Sequence, residues 1–257
     1  IGSPIGAADA TRVFGIGMSM VLTPGKAGEL LKSYMVRQAG GTPMRLSAPI
    51  VLAERLTDGL AMIVLAGVGL YGVPDPELRR AAGIVFGLLL AVVVVVQWRP
   101  LALRLLDLGV RLPAVSSAAG HARDFYESSY TLLRPRNLAI AVAVGVASWT
   151  CEGLAYYLVL LGVDRSMAPD PRSAAMAVFI FSISTVLGAV VATPGGLGAT
   201  EASLVALARR LLGLGAAAAT AAALLVRLAT LWFGVAIGVI CLARWPWLLE
   251  GRAPDRR

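Results

Sequence analysis

The residues best able to do chemistry in this sequence are few, and they fall in two places. Lys26, Glu29, Lys32, Glu54, Arg55 and Asp58 stand near the start, Glu201, Arg227 and Thr230 near the end, and Glu152 lies between them in an apolar run. Lys26 and Lys32 are both of the chain's lysines. Ammonium and guanidinium groups in apolar surroundings hold anions, either a carboxylate or a phosphate that matches the guanidinium fork. Arg55 and Asp58 are three residues apart and share a helix face, as do Arg227 and Thr230, so each place offers a guanidinium beside an oxygen acceptor. Glu54 points about 100° away from Arg55 and is free to anchor a neighbouring segment. Two readings of the arginines are compatible. One is a structural ion pair, Glu201 with Arg227 and Glu29 or Glu54 with Arg55; the other is contact with an anionic headgroup, and five donors per guanidinium serve both. Glu152 could pair with an arginine, carry a proton or hydrogen-bond a neighbouring helix.

Other chemistries fail on spacing. Gly25-Lys26 lacks the glycine spacing and hydroxyl of a phosphate-binding loop, there is no Gly-x-Ser-x-Gly elbow, and His121 is the only histidine. No metal, cofactor or catalytic residue is expected, and the chain is read as a non-enzyme. A polyprenyl-phosphate transferase using Glu152 or Asp58 as base is the enzymatic alternative.

The charged residues sit around two helix breaks. Thr23-Pro24-Gly25-Lys26-Ala27-Gly28 precedes Glu54-Arg55-Leu56-Thr57-Asp58, and Thr193-Pro194-Gly195-Gly196-Leu197-Gly198 precedes Val226-Arg227-Leu228-Ala229-Thr230. The same ordered set occurring twice reads as an internal repeat, with units at about 13–73 and 174–243. Proline removes a backbone donor and glycine permits positive φ, so Pro24, Gly25 and Gly28, and Pro194, Gly195, Gly196 and Gly198, interrupt a helix. A new helix should start just after each break, its unpaired N–H groups and positive dipole end favouring an anion. Broken or re-entrant helices of this kind line substrate sites in secondary transporters, where protein or a cavity covers the irregular backbone.

Composition sets the surroundings. The chain is 58% hydrophobic and 15% charged, with a mean hydropathy of +0.77, which excludes an ordinary soluble domain. The apolar runs 81–98, 138–163, 174–192 and 216–243 are each long enough to cross a bilayer as helices, and 46–73 is a fifth, charged near its start. The fold expected is therefore all-α, a polytopic transmembrane helix bundle with two repeated units containing broken or re-entrant Pro-Gly helices. An Arg at mid-helix costs about 2.5–3.5 kcal/mol on insertion scales, so Arg227 should face the bundle interior. The net charge of +8 reflects positive loops that fix topology, rather than a nucleic-acid surface. Arginines crowd the amphipathic stretch 100–137, which is placed in the cytoplasm. Cys151 and Cys241 are expected to be buried, inert thiols. The opening at Ile1 and the short first apolar stretch suggest an amino-terminal truncation of one flippase-like domain over 1–257.

The segment Leu22 to Tyr34, Glu54-Arg-Leu-Thr-Asp58, Pro194-Gly-Gly-Leu-Gly-Ala-Thr-Glu-Ala202 and Leu225-Val-Arg-Leu-Ala-Thr230 resemble the lysylphosphatidylglycerol synthase transmembrane (flippase-like) family. The resemblance runs over essentially the whole chain but without the aminoacyl-transferase domain, so lipid lysylation is not expected. It implies a multi-pass inner-membrane protein that translocates an anionic phospholipid or a polyprenyl-phosphate-linked glycolipid. The expected partners are that anionic lipid or lipid-linked glycan, the membrane itself and, as an alternative role, a lipid-modifying enzyme seated on a non-transporting scaffold. The substrate-binding residues are then Lys26, Glu29, Lys32, Arg55, Asp58, Glu152, Glu201, Arg227 and Thr230.

Overall fold

The computed structural model describes residues 5–23, 28, 30–70, 76–110 and 135–250, and these build helices with no strand among them. Helix α1 (Ala7–Ser19) passes into a 3₁₀ turn at Met20–Leu22. It is followed by α2 (Leu31–Gly40), α3 (Met44–Gly69), α4 (Pro76–Gln97) and α5 (Arg99–Val110). The later part holds α6 (Pro135–Val163), α7 (Pro171–Val191), a 3₁₀ turn at Pro194–Gly196, α8 (Ala199–Leu212), α9 (Ala216–Arg244) and α10 (Trp247–Glu250). Within α9 the residues Leu228–Trp232 form a π-helical segment.

Among the described residues, three helices are long and apolar enough to cross a membrane: α6, α7 and α9, of 29, 21 and 29 residues, with mean hydropathy 1.6, 2.3 and 2.2. At 1.5 Å per residue the longer two reach about 44 Å, more than an apolar core of about 30 Å requires. Helix α3 has the length, with 26 residues, but Glu54, Arg55 and Asp58 fall at its middle rather than near its start. The expected run 81–98 lies within the 22-residue α4 and the residue after it.

Helix α7 is apolar all round, and such a helix belongs at the centre of a bundle. Every residue from Met176 to Ser182 is buried, and α3, α6 and α8 surround it. Its start is fixed by Pro171 at the first position and by the Asp170 carboxylate, which accepts the N–H groups of Arg172 and Ser173 at 2.8 and 3.0 Å. Hydrogen bonds from Ser173 and Arg172 hold Asp170 below the usual carboxylate range, the Ser173 hydroxyl contributing most. The core around α7 takes Tyr156 and Leu160 from α6, Leu204 and Ala208 from α8, and Ala219, Ala222, Ala223 and Val226 from α9. The alanine face lets α9 approach closely, the usual device where lipid supplies no hydrophobic drive between helices. Outward, α6 and α9 show Val144, Leu158, Leu224, Phe233 and Ile240, each more than half exposed, as a lipid-facing surface requires. Cys151 belongs to that outer surface and is exposed, and Cys241 is half-buried; neither is the buried thiol expected. An evenly apolar helix has no polar face to show which side turns inward.

A second core joins Val13 and Ile16 of α1, Met20 of the turn after it, Met35 of α2 and Leu248 of α10. Here α1 lies against the second half of α9 so closely that a Cβ at Gly238 would collide with the Ser19 backbone. The triplets α1–α2–α3 and α7–α8–α9 have the same order: helix, Pro-Gly break, short helix, long helix. They also pack reciprocally, α1 on α9 and α7 on α3, and Arg55 and Arg227 are each the twelfth residue of the third helix. The 24 residues from 111 to 134, and with them most of the amphipathic stretch 100–137, lie outside the described residues, as do Lys26, Glu29 and the first break's Pro24 and Gly25.

Candidate functional site

The second break forms as its residues dictate. Ala192, Gly195, Gly196 and Gly198 all have positive φ, at 57°, 62°, 71° and 82°. Three glycines in that sequence make the path accessible, because a side chain there is strained. The chain leaves α7, turns at Pro194–Gly196 and starts α8 at Ala199. Helix α8 then runs back against α7, with Thr200, 2% exposed, packed so tightly beneath Gly188 that a Cβ at Gly188 would meet its hydroxyl. With 14 residues, α8 is about 21 Å long and too short to cross a bilayer core.

Arg227 reaches from α9 into this break. Its Nε donates to Glu201 Oε1 at 2.6 Å and its Nη2 to the Gly195 carbonyl at 2.5 Å, while Glu201 Oε2 accepts the Gly198 N–H at 2.6 Å. The side chain is 10% exposed and faces inward, as the cost of lipid exposure requires. One guanidinium thus ties together the turn, the start of α8 and α9. The N–H group at that helix start, expected to face an anion, is met by the protein's own carboxylate. Just after Arg227, the π segment shifts the register of α9. Thr230, in that segment, donates its hydroxyl to the Val226 carbonyl at 2.9 Å.

In the first unit Thr23 plays the local capping part. Its Oγ1 accepts the Gly28 N–H at 2.7 Å and donates to the Met20 carbonyl at 2.8 Å. Arg55 stands 3.3 Å from Asp58 and 3.9 Å from Glu54, so its nearer carboxylate is the one a turn along its own helix. Glu54 accepts from Lys32 of α2 at 3.1 Å and so anchors the short helix. Lys32 also lies 5.8 Å from the centre of the Phe14 ring, within cation–π range. Asp58 accepts a bond from the Trp149 indole N–H at 3.4 Å, which links α3 to α6.

These groups meet at one cavity of about 590 Å³. Lys32, Arg55, Asp58, Glu152, Arg227 and Thr230 all line it, so six of the nine residues singled out from the sequence come together; Glu201 stands behind Arg227, and Lys26 and Glu29 lie outside the described residues. Gly195, Gly196 and Thr193 bring the second break to the wall. The turn Met20–Leu22, which follows α1, touches the turn Pro194–Gly196 of the second break. Trp149, one turn before Glu152 on α6, is a polar lining residue that sequence reasoning missed. Its spacing from Glu152 was a signal, but its partner Asp58 is 91 residues away. Thr185 and Thr200 also line it, and the rest of the wall is apolar, with Met18, Val21, Met62, Phe181 and Leu231. An apolar pocket of this size with a few convergent polar groups is what a small-molecule headgroup needs.

A helix bundle with an apolar outer surface and a charged interior cavity is a membrane protein with an internal polar site. The chain belongs to the family described as the lysylphosphatidylglycerol synthase TM region, which it matches over residues 1–238. It is similar to the UPF0104 membrane protein MJ1078 of Methanocaldococcus jannaschii, 22% identical over 188 residues, which is 73% of this chain and 77% of that protein. No solved structure matches it.

Proposed function

We propose that this protein is a multi-pass inner-membrane carrier that translocates an anionic phospholipid or a polyprenyl-phosphate-linked glycolipid, the headgroup entering the cavity while the tails stay in lipid. The observation that carries the reading is the convergence of Lys32, Arg55 and Arg227, from three helices, on one cavity inside an apolar-surfaced bundle. Arg55 is the group best able to engage a phosphate, because it is 31% exposed and its 3.3 Å contact with Asp58 is longer than the 2.6 Å bond that holds Arg227. The family membership supports a lipid-related role. The equivalent element order and reciprocal packing of the two triplets support a repeated transporter architecture, with α8 as a re-entrant helix. A carrier rather than an enzyme is favoured because Glu54, Asp58 and Glu201 are each engaged by a cation.

The test is headgroup exposure in liposomes holding the purified protein. Arg55→Ala should slow translocation of the anionic lipid at least tenfold. If Arg55→Ala and Arg227→Ala both move every lipid tested as fast as the parent, the cavity is not the headgroup site. A second reading, a scaffold for a lipid-modifying enzyme, is favoured by exposed Leu105 and Leu108 on α5. It predicts that replacing both with Ser abolishes co-purification of such an enzyme and leaves lipid exposure unaltered.

A further inference from the structure

The charges around the cavity balance in a way that constrains what can enter. Among the described residues, Lys32 of α2, Arg55 of α3 and Arg227 of α9 face Glu54 and Asp58 of α3, Glu152 of α6 and Glu201 of α8. The residues that α1 and α7 contribute to the wall, among them Phe14, Met18, Phe181 and Thr185, do not titrate, and α4 contributes none. Three cations thus meet four carboxylates. A phosphodiester brought into this enclosure adds a further negative charge where the surroundings are mostly apolar, and like charges there repel far more strongly than in water. A neutralising proton removes that repulsion.

The held carboxylates differ in how firmly they are held. Glu201 lies between Arg227 and the Gly198 N–H at 2.6 Å each, and Glu54 bridges Lys32 and Arg55. Asp58 has one cation, Arg55 at 3.3 Å, and one neutral donor, Trp149 at 3.4 Å, and it lines the cavity itself. It is the carboxylate that an incoming phosphate would displace from its guanidinium.

Resting on the anionic-headgroup reading, we propose that the cavity binds its headgroup together with one proton, and that Asp58 is the proton site. The exchange balances. The Arg55–Asp58 pair, one phosphodiester anion and one proton from the aqueous phase give an Arg55–phosphate pair and a neutral Asp58 carboxyl. The carbonyl oxygen of that acid still accepts the Trp149 N–H, and its hydroxyl becomes a donor available to the phosphate. Site occupancy is thereby linked to the proton concentration on the side from which the headgroup enters.

The experiment is titration calorimetry of the full chain in detergent with dihexanoyl phosphatidylglycerol, a phosphodiester whose own charge is constant between pH 5.5 and 8. Repeating it in buffers of different ionisation enthalpy counts the protons exchanged. The proposal expects uptake of about one proton per lipid and an apparent affinity that falls about tenfold for each pH unit raised. Asp58→Asn, whose amide still accepts from Trp149, should bind the lipid with no uptake and no pH dependence, and Asp164→Asn, in the exposed turn after α6 and away from the cavity, should retain both. Binding by the parent with no proton exchanged overturns the proposal and leaves the headgroup site standing. Uptake that persists in Asp58→Asn overturns the assignment to Asp58. Absence of binding altogether overturns the headgroup site and the proton site together.

Discussion

The two arginines occupy the same place in their triplets and are held in opposite ways. Arg227 is buried, bonded to a carboxylate on another helix and to a carbonyl of the break, and so fastens three segments of the second unit. Arg55 is three times as exposed, and it stands 3.3 Å from Asp58, one turn along its own helix. A bond that spans elements stabilises the fold, whereas one within a helix contributes little and can be exchanged. The difference makes Arg227 a framework residue and, in the proposed function, leaves Arg55 to the headgroup.

The largest expected effect is therefore at Arg227. Replacing it with Ala leaves Glu201 without its cation in a half-buried site, and breaking such a pair costs about 3 kcal/mol. Thermal unfolding in detergent should show Tm falling by several degrees, and an unchanged Tm would remove the distinction between the units. Next is the contact between the two units. Gly238→Val would force α1 from α9 at Ser19, at an expected cost of about 1–3 kcal/mol for overpacking, read in the same unfolding assay. Arg55→Ala should alter Tm by no more than about 1 kcal/mol of stability while lipid exposure slows, a separation of stability from activity that Arg227→Ala cannot give. The smallest effect concerns the start of α7, where Asp170 is held below the ordinary carboxylate range. A depressed value means that this cap is fully formed above the unfolded-state value and is lost as pH falls through the folded one. The protection of the Arg172 and Ser173 amides against exchange, relative to an unstructured chain at the same pH, should accordingly fall under acid conditions and persist at neutral pH.

Much of this was legible because membrane helices are written in long apolar runs: 138–163, 174–192 and 216–243 correspond to α6, α7 and α9 within a few residues. The inward aim of Arg227 and its pairing with Glu201 followed from the cost of leaving either in lipid. Three features were not legible. The Trp149–Asp58 bond joins helices far apart in the chain, and no local rule proposes it. The π segment at Leu228–Trp232 is built of residues that also form regular helix, so no local pattern announces it. The face that α6 turns outward, with Cys151 on it, was hidden because that helix is apolar on every side. The spacing rule that put Thr230 beside Arg227 assumed regular helix, and the π segment begins between them.

The central claim is that a lipid headgroup sits in the cavity against Arg55. The most direct measurement is a structure of the protein in nanodiscs made with anionic phospholipid. The account predicts headgroup density inside the cavity, its phosphate within hydrogen-bond distance of the Arg55 guanidinium. Lipid ordered only along the outer faces of α6 and α9, with Arg55 still on Asp58 and no headgroup inside, would contradict it.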